Sequence, residues 1–578
     1  MPSSVSYTFS LTCANQNFLD LSVTMPVKGN ELIIKIPAWR PGRYELGNFS
    51  RNIRKILVED TEGRVLKVRK HERNSWKIEE ISGKQIKISY QYFSNELNAG
   101  STFTDGTFLY VNPVNCAIYA EETMNLSCTV ILDIPIEWQV AGAQSENNQF
   151  VCNDFDKLVD TPFIASPDLL SKSYKIGETQ FTIWMHRQLN IPWRKLLDDF
   201  TKFSAKLIEE FGDCPTKKFE FIILSLPNKA YQGVENLEST IITLGPSYDV
   251  FGALYPELLG VSCHELYHVW NVKTIRPKEL HPYDLSKENY SQLGFIYEGI
   301  TTYFGDLQLL KSGVFSINQY LTELSDQFQK HADNFGRRNY SLADSSIDTW
   351  VDGYVPGVPE RKISIYTEGC LFAFWLDNKI LSLTENTKSL QTVMSALYQN
   401  FGKKNKGIDL VIFSQTIQEI TQLDLSDQVD HFLFNTIDYI DELQSSLKEI
   451  GLGIIIKEGD PVEKILGIKV TPGDIGFLVI SVHPEGTAAK NGLRRGDEII
   501  AVNGIKVKGD LKNWISYFEN QYFSISILRN GILLDNSIHE FSKKGFEKYT
   551  VSILPNITTD QKNKFFSWSG ISLEKALK

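Results

Sequence analysis

The sequence predicts a multidomain α+β protein, and three observations carry that prediction. Short alternating and β-branched runs fill the chain as far as about Pro167. After residue 190 the apolar period changes to three and four, and from Gly451 strands and tight turns return. At 578 residues the chain also exceeds what one hydrophobic core serves.

The first runs are VSYTFSLT, ELIIKIPAW, KQIKISYQYF, GTFLYVN and LSCTVILDI, with turn signals such as Lys28-Gly29-Asn30 and Glu62-Gly63 between them. They read as an all-β sandwich over residues 1–168. Trp193, Leu196, Leu197, Phe200, Phe203, Leu207, Ile208 and Phe211 then form one apolar stripe of a helix that stops at Gly212. A strand, KFEFIILSLP, a Gly-containing segment and mostly helical text complete a second domain, 169–450, mainly helical after residue 254. Turn chemistry in GLRRGDEIIAVNGIKV marks a third, β-rich unit at 451–548, and residues 549–578 read as a tail.

Apolar residues at 42% and charged residues at 22% are ordinary for a globular protein and exclude a disordered or fibrous one. A formal net charge of −11 without any Lys/Arg-rich block argues against a nucleic-acid partner, and none is expected. No run of eighteen apolar residues occurs and the start lacks the charge pattern of an export signal, so neither membrane insertion nor export is expected. Seven scattered cysteines without CxxC spacing suit reduced thiols and a cytoplasmic location.

The chemistry concentrates in SCHELYHVWN. His264 and His268 are four apart, which on a helix puts both imidazoles on one face about one turn, ~5.4 Å, apart. Glu265 projects beside such a metal pair and can take a proton from water there. Two imidazoles do not complete a catalytic zinc site, which takes three protein ligands and leaves a fourth position open. Downstream, Glu298 lies in an apolar helical stretch among Phe295, Ile296, Ile300 and Tyr303. A buried carboxylate needs a cation, and a zinc ion shared with the two histidines supplies it; a Lys or Arg partner is the alternative. Cys263 faces away from the histidine side and reads as core.

HELYHVWNVKTIRPKELHPYD followed by YEGITTYF closely resembles the glycyl aminopeptidase family, a gluzincin branch related to aminopeptidase N-type enzymes. PAWRPGRYELGNFSRNI at 37–53 and SLADSSIDTW at 341–350 extend the resemblance over nearly the whole chain. It implies a thermolysin-like catalytic domain with one Zn²⁺ per chain, held by His264, His268 and Glu298, with Glu265 as general base. Gln232-Gly233-Val234-Glu235-Asn236 is similar to the family's GGxEH and its relatives' GxMEN, which implies that Gly233, Glu235 and Asn236 bind substrate, with Glu235 taking the α-ammonium. Ser364-Ile365-Tyr366-Thr367-Glu368-Gly369 resembles SYYxKG, whose second Tyr steadies the oxyanion, implying that role for Tyr366. Asn236, Ile365 and Glu368 depart from the family pattern at positions that bear on specificity.

The last unit resembles a bacterial PDZ domain, with Leu466, Gly467 and Ile468 where such domains bind a peptide carboxylate by strand addition. A PDZ fold used only for packing or dimerisation is the alternative for this unit. Together these resemblances imply a zinc aminopeptidase that removes N-terminal residues, Gly or Ala by family preference, from peptides. Three other readings stand beside it: a peptide-binding protein with a vestigial metal domain, a zinc endopeptidase, and a zinc hydrolase of a non-peptide bond.

Overall fold

A computed structural model describes residues 4–187, 190–353, 358–519 and 521–573. The N-terminal region is built from three sheets. Strands Gln149–Cys152, Ser127–Asp133, Ser4–Ser10, Phe18–Pro26, Gln85–Phe93 and Ile53–Asp60 form the largest, in that spatial order. In Ser4–Ser10 every second side chain is buried, so Val5, Tyr7 and Phe9 face the core while serines and Thr8 face outward. A three-stranded sheet (Leu32–Lys35, Ser75–Ile78, Val68–Glu72) and a four-stranded one pack against it through Ile34, Trp76, Leu109 and Phe163. The sandwich expected from alternation is present.

A second, five-stranded sheet follows, with Leu169–Ile176, Thr179–His186, Lys218–Ser225, Ser239–Gly245 and Ala230–Glu235 in order. Of its three inner strands, Ser239–Gly245 is buried at every position, Lys218–Ser225 is buried without a break from Phe221 to Leu224, and Thr179–His186 alternates over most of its length. The helix Trp193–Phe211 lies on it with Leu196, Phe200, Phe203, Leu207 and Phe211 buried, and ends at Gly212, whose φ of 92° only glycine adopts readily. The last strand, Ala230–Glu235, is an antiparallel edge beside the helix Tyr255–Tyr267. Helices Thr301–Lys311, Ile317–Asp333 and Thr367–Leu383 complete the layer around that helix.

The C-terminal β unit has its own small core of Leu466, Ile468, Ile499, Ile525 and Ile527, inside a sheet of Ile468–Pro472, Phe477–Val482, Glu498–Val502, Phe523–Arg529 and Ile532–Ile538. It hangs from a separate strand pair, Leu452–Glu458 with Glu547–Ile553. That pair is fixed to the helix Ile317–Asp333: the Val551 N–H donates to Ser325 Oγ at 2.8 Å and Gln329 Nε2 to the Glu547 carbonyl at 2.9 Å. Residues beyond it do not trail away. The helix Thr559–Ser569 buries Phe565 and Trp568 in the large core, and Trp568 Nε1 donates to the Tyr303 hydroxyl at 2.8 Å. Among the described residues no helix is long and apolar enough to cross a membrane.

Candidate active site

The helix Tyr255–Tyr267 delivers His264 and Glu265 and hands over to His268 at its C-cap, where the chain keeps a right-handed helical conformation. Both imidazoles therefore stay on one side, with their Nε2 atoms 3.0 Å apart. Glu298 comes from a π-turn, Phe295–Ile300, at the head of the helix Thr301–Lys311; such turns cost regular hydrogen bonding and cluster at functional positions. Its Oε2 lies 3.6 Å from His264 Nε2 and 3.4 Å from His268 Nε2. Three ligand atoms 3.0–3.6 Å apart match the edges of a tetrahedron around one ion, because bond lengths of about 2.0–2.1 Å give edges of roughly 3.3 Å.

Asn271 holds together the two elements that carry His268 and Glu298. Its carbonyl accepts from His268 Nδ1 at 2.8 Å, so that when the ring is neutral its lone pair sits on Nε2, facing His264 and Glu298. Its side chain donates to the Ile296 carbonyl at 2.8 Å and to Thr301 Oγ1 at 3.0 Å, pinning the π-turn that carries Glu298. On the far side of that turn Gly299 meets Gly369, where a Cβ on Gly299 would stand 2.4 Å from the Gly369 Cα. Two facing glycines thus let the Glu298 turn approach the first turn of Thr367–Leu383, which Tyr366 precedes. Tyr366 reaches the cleft with its ring centroid 6.4 Å from that of His264.

The edge strand forms the opposite wall. Gly233 sits against the Glu265 carboxyl and Val234 turns inward. Glu235 is buried, with its carboxyl among those of Glu265 and the imidazole of His268, all within 4.8 Å of one another. Glu235 Oε1 and Glu265 Oε2 are buried without a hydrogen-bond partner. Burial, with Glu298 adding to it, raises the Glu235 carboxyl against the pull of His268. Burial also raises Glu265, with Glu235 and Glu298 adding to it against His268. For His268 burial works downward, but Glu298, Glu235 and Glu265 push it up to about 10. Burial would lift Glu298 too, and the two histidines outweigh it and hold it low. Three buried carboxyls beside two imidazoles form a nitrogen and oxygen donor set of the kind that suits a dication.

The N-terminal β domain closes one end of this cleft, a contribution not visible in its strand pattern. Trp39 is fully buried against Tyr283 and Trp350 and donates through Nε1 to the Asp284 carbonyl at 2.8 Å, so the loop after it is clamped to the helical domain. Arg40, Gly42 and Arg43 line the cleft, and a Cβ on Gly42 would come 2.3 Å from Glu235 Oε2. Behind Glu235, Asp160 of the same domain receives Lys273 Nζ at 2.6 Å and the Leu237 N–H at 3.0 Å.

Other residues singled out in the sequence lie elsewhere. Asn236 is buried in the turn after the strand, where its N–H donates to the Ser239 carbonyl at 2.9 Å, and it does not line the cleft. Ile365 packs under Gly294. Glu368 points away from the cleft into a buried cluster, accepting from His331 Nδ1 at 2.8 Å and from the Tyr439 hydroxyl. Leu466 ends a π-turn, Gly467 takes a left-handed conformation with its carbonyl accepting the His483 N–H at 2.7 Å, and Ile468 opens the edge strand of the C-terminal sheet. The side chains of Leu466 and Ile468 are core.

Comparison with known proteins agrees with this layout. The Peptidase M61 N-terminal domain model matches residues 6–167, the M61 glycyl aminopeptidase model residues 257–372, and the PDZ domain model residues 442–513. No curated protein matches the chain. Among solved structures, an aminopeptidase N family protein from Idiomarina loihiensis shares the fold at a TM-score of 0.90 and 23% identity, covering 98% of this chain and 99% of its own. A variant M1 zinc metallopeptidase from Deinococcus radiodurans superposes at 0.48 and 10% identity, over 75% of this chain and 94% of its own.

Proposed function

Because the chain carries the N-terminal and catalytic domains of the M61 glycyl aminopeptidase family followed by a PDZ domain, and is on that ground a metallo-aminopeptidase, we propose how its residues divide the work. His264, His268 and Glu298 hold one zinc ion; their mutual distances and their donor chemistry support that assignment. Zinc bound there supplies Lewis-acid polarisation and lowers the pKa of a water molecule. Glu265 takes the proton of the attacking water and passes it to the departing amine; the unpaired Oε2 in its buried carboxyl supports this role. Tyr366 donates its O–H to the oxygen on which charge develops.

One observation carries the exopeptidase reading: the buried Glu235 carboxyl, with an unpaired oxygen, stands within 4.8 Å of Glu265 and His268. An α-ammonium paired with it places the first peptide carbonyl of the substrate at the metal residues, so the enzyme counts one residue from the N-terminus. Gly42 crowds that carboxyl from the other side, which supports a preference for small first residues, Gly or Ala. The PDZ unit adds a further peptide site, an edge strand at Ile468–Pro472 entered from Leu466, Gly467 and Ile468, for strand addition by peptide C-termini.

The deciding experiment compares an Ala-initiated tetrapeptide with its N-acetylated form on zinc-loaded protein. Acetylation is expected to lower kcat/KM at least roughly tenfold to a hundredfold, the worth of a charge-assisted contact. Glu235→Ala should cut turnover of the free peptide and leave the acetylated one unchanged. Equal cleavage of both forms by the unmutated protein makes it an endopeptidase.

A further inference from the structure

The cleft continues past the metal residues on the side away from Glu235. The edge strand gives it a direction, from Glu235 through Gly233 beside Glu265 to Tyr231 beyond them. If the amine is held at Glu235, the part of the substrate released after cleavage lies towards Tyr231. At that end the cavity, about 580 Å³ in all, is lined by Glu257, Asp306, Glu323, Gln327 and Lys330.

Two helices bring the first two acids together. Glu257 stands seven residues before His264, and Asp306 eight residues after Glu298, so each lies about two turns, roughly 10–12 Å, from a metal residue. The helices run side by side in opposite directions. A Cβ on Gly305 would stand 3.2 Å from the His264 Cα, and one on Gly260 3.8 Å from Asp306 Oδ1. Glu323 and Gln327 come one turn apart from the helix Ile317–Asp333.

This end is short of donors. Glu257 Oε2 is buried with no hydrogen-bond partner. Gln327 is 92% buried, since its exposure is 8%, and its Oε1 has no partner either. Burial and Glu323 hold the Asp306 carboxyl up at about 8, against the opposing pull of Lys330. Lys330 itself is exposed at the rim. Three carboxyls and an amide side chain thus line an end of the cleft whose one ammonium, Lys330, is solvated.

We propose that this wall is a specificity site for a basic side chain, lysine or arginine, at the first or second residue after the scissile bond, held by Glu257, Asp306, Glu323 and Gln327. The proposal rests on the aminopeptidase reading for the direction of the substrate. A lysine at the first position spans part of the distance with its own side chain; one at the second arrives through the backbone, at about 3.3 Å per extended residue.

The test uses zinc-loaded full-length protein with Ala-Lys-Ala-Ala against Ala-Nle-Ala-Ala, and Ala-Ala-Lys-Ala against Ala-Ala-Nle-Ala, since norleucine keeps the chain and removes the charge. The lysine peptide of at least one pair is expected to have a kcat/KM roughly tenfold higher at low ionic strength, with the ratio shrinking as salt is added. The triple variant Glu257→Gln, Asp306→Asn, Glu323→Gln should bring that ratio near one while the norleucine peptides keep their rates, which also shows that the variant is folded. A ratio of one or less at both positions in the unmutated protein overturns the proposal, as does an unchanged ratio in the triple variant. Calorimetric binding of the same peptides to Glu265→Gln reads the wall without turnover. Tighter binding of the lysine peptides there, with no cleavage by the unmutated protein, keeps the wall and removes the peptidase reading; equal binding removes the wall.

Discussion

Gly233 and Glu265 occupy each other's space: a Cβ built on Gly233 would stand 2.0 Å from Glu265 Oε1 and 2.5 Å from its carboxyl carbon. The Glu265 carboxyl is therefore seated against bare backbone of the edge strand, and its position depends on a residue that has no side chain.

Replacing Gly233 with Ala must push the Glu265 carboxyl out of line. Zinc content should stay stoichiometric, because His264, His268 and Glu298 are untouched, while kcat falls by roughly 10²-fold or more, the usual worth of a positioned base. Metal analysis and steady-state kinetics on one preparation check both halves. Full activity would mean that Glu265 moves freely and that the close contact is incidental.

Glu265→Gln keeps size and removes the proton acceptor. We expect full zinc loading and a kcat lowered roughly 10²–10⁴-fold. Glu298→Ala should instead lose zinc, whereas Glu368→Ala should keep it, since Glu368 faces His331 and Tyr439 and not His264, His268 and Glu298. A fully loaded Glu298→Ala protein at micromolar zinc would show that the third ligand lies elsewhere.

Asn271→Leu removes an acceptor from His268 only through backbone displacement, but it takes away both donors that pin the Glu298 turn. Partners of this kind are typically worth 10- to 100-fold in metal affinity. Competition with a chelator should show that loss, with the Glu265→Gln protein as the comparison of unchanged affinity.

His331 is fully buried between Glu368 at 2.8 Å and Asp438 at 3.5 Å. Burial lowers its pKa, but Glu368 and Asp438 raise it to about 9, with Arg337 opposing them. The folded value lies above the unfolded one of about 6.5, so the stability it lends is complete below pH 6.5 and is lost as pH rises through 9. Urea midpoints at pH 6, 7.5 and 9.5 should therefore fall across that range in the unmutated protein and fall less in His331→Asn. Parallel curves for the two proteins would mean that His331 is not charged in the fold.

The readable part of this protein was what local spacing encodes. Four-residue spacing put His264 and His268 together, apolar neighbours marked Glu298 as buried, and a three-and-four stripe set the helix Trp193–Phe211, ending at Gly212. What stayed hidden depends on contacts between distant segments. No local pattern shows Gly42 resting on Glu235, or Asn271 reaching Ile296 and Thr301. Glu368 reads as a polar residue near a site, yet one helical position beyond Thr367 turns it into the core towards His331. The acids of the cleft wall, spread over three helices, meet only because those helices pack.

The strand pair that carries the PDZ unit has an architectural consequence. Glu458 and Glu547 are register partners, so everything between them leaves and re-enters the helical domain at one doorstep. The unit is an insertion in a hairpin, and the sequence after it belongs to the enzyme's own interior through Val551, Phe565 and Trp568. Cutting the chain after residue 450 would therefore open a hole beside Tyr303, whereas splicing Glu458 to Glu547 through a two-residue turn would leave a continuous hairpin and a closed core. Modularity here runs along space and not along the polypeptide.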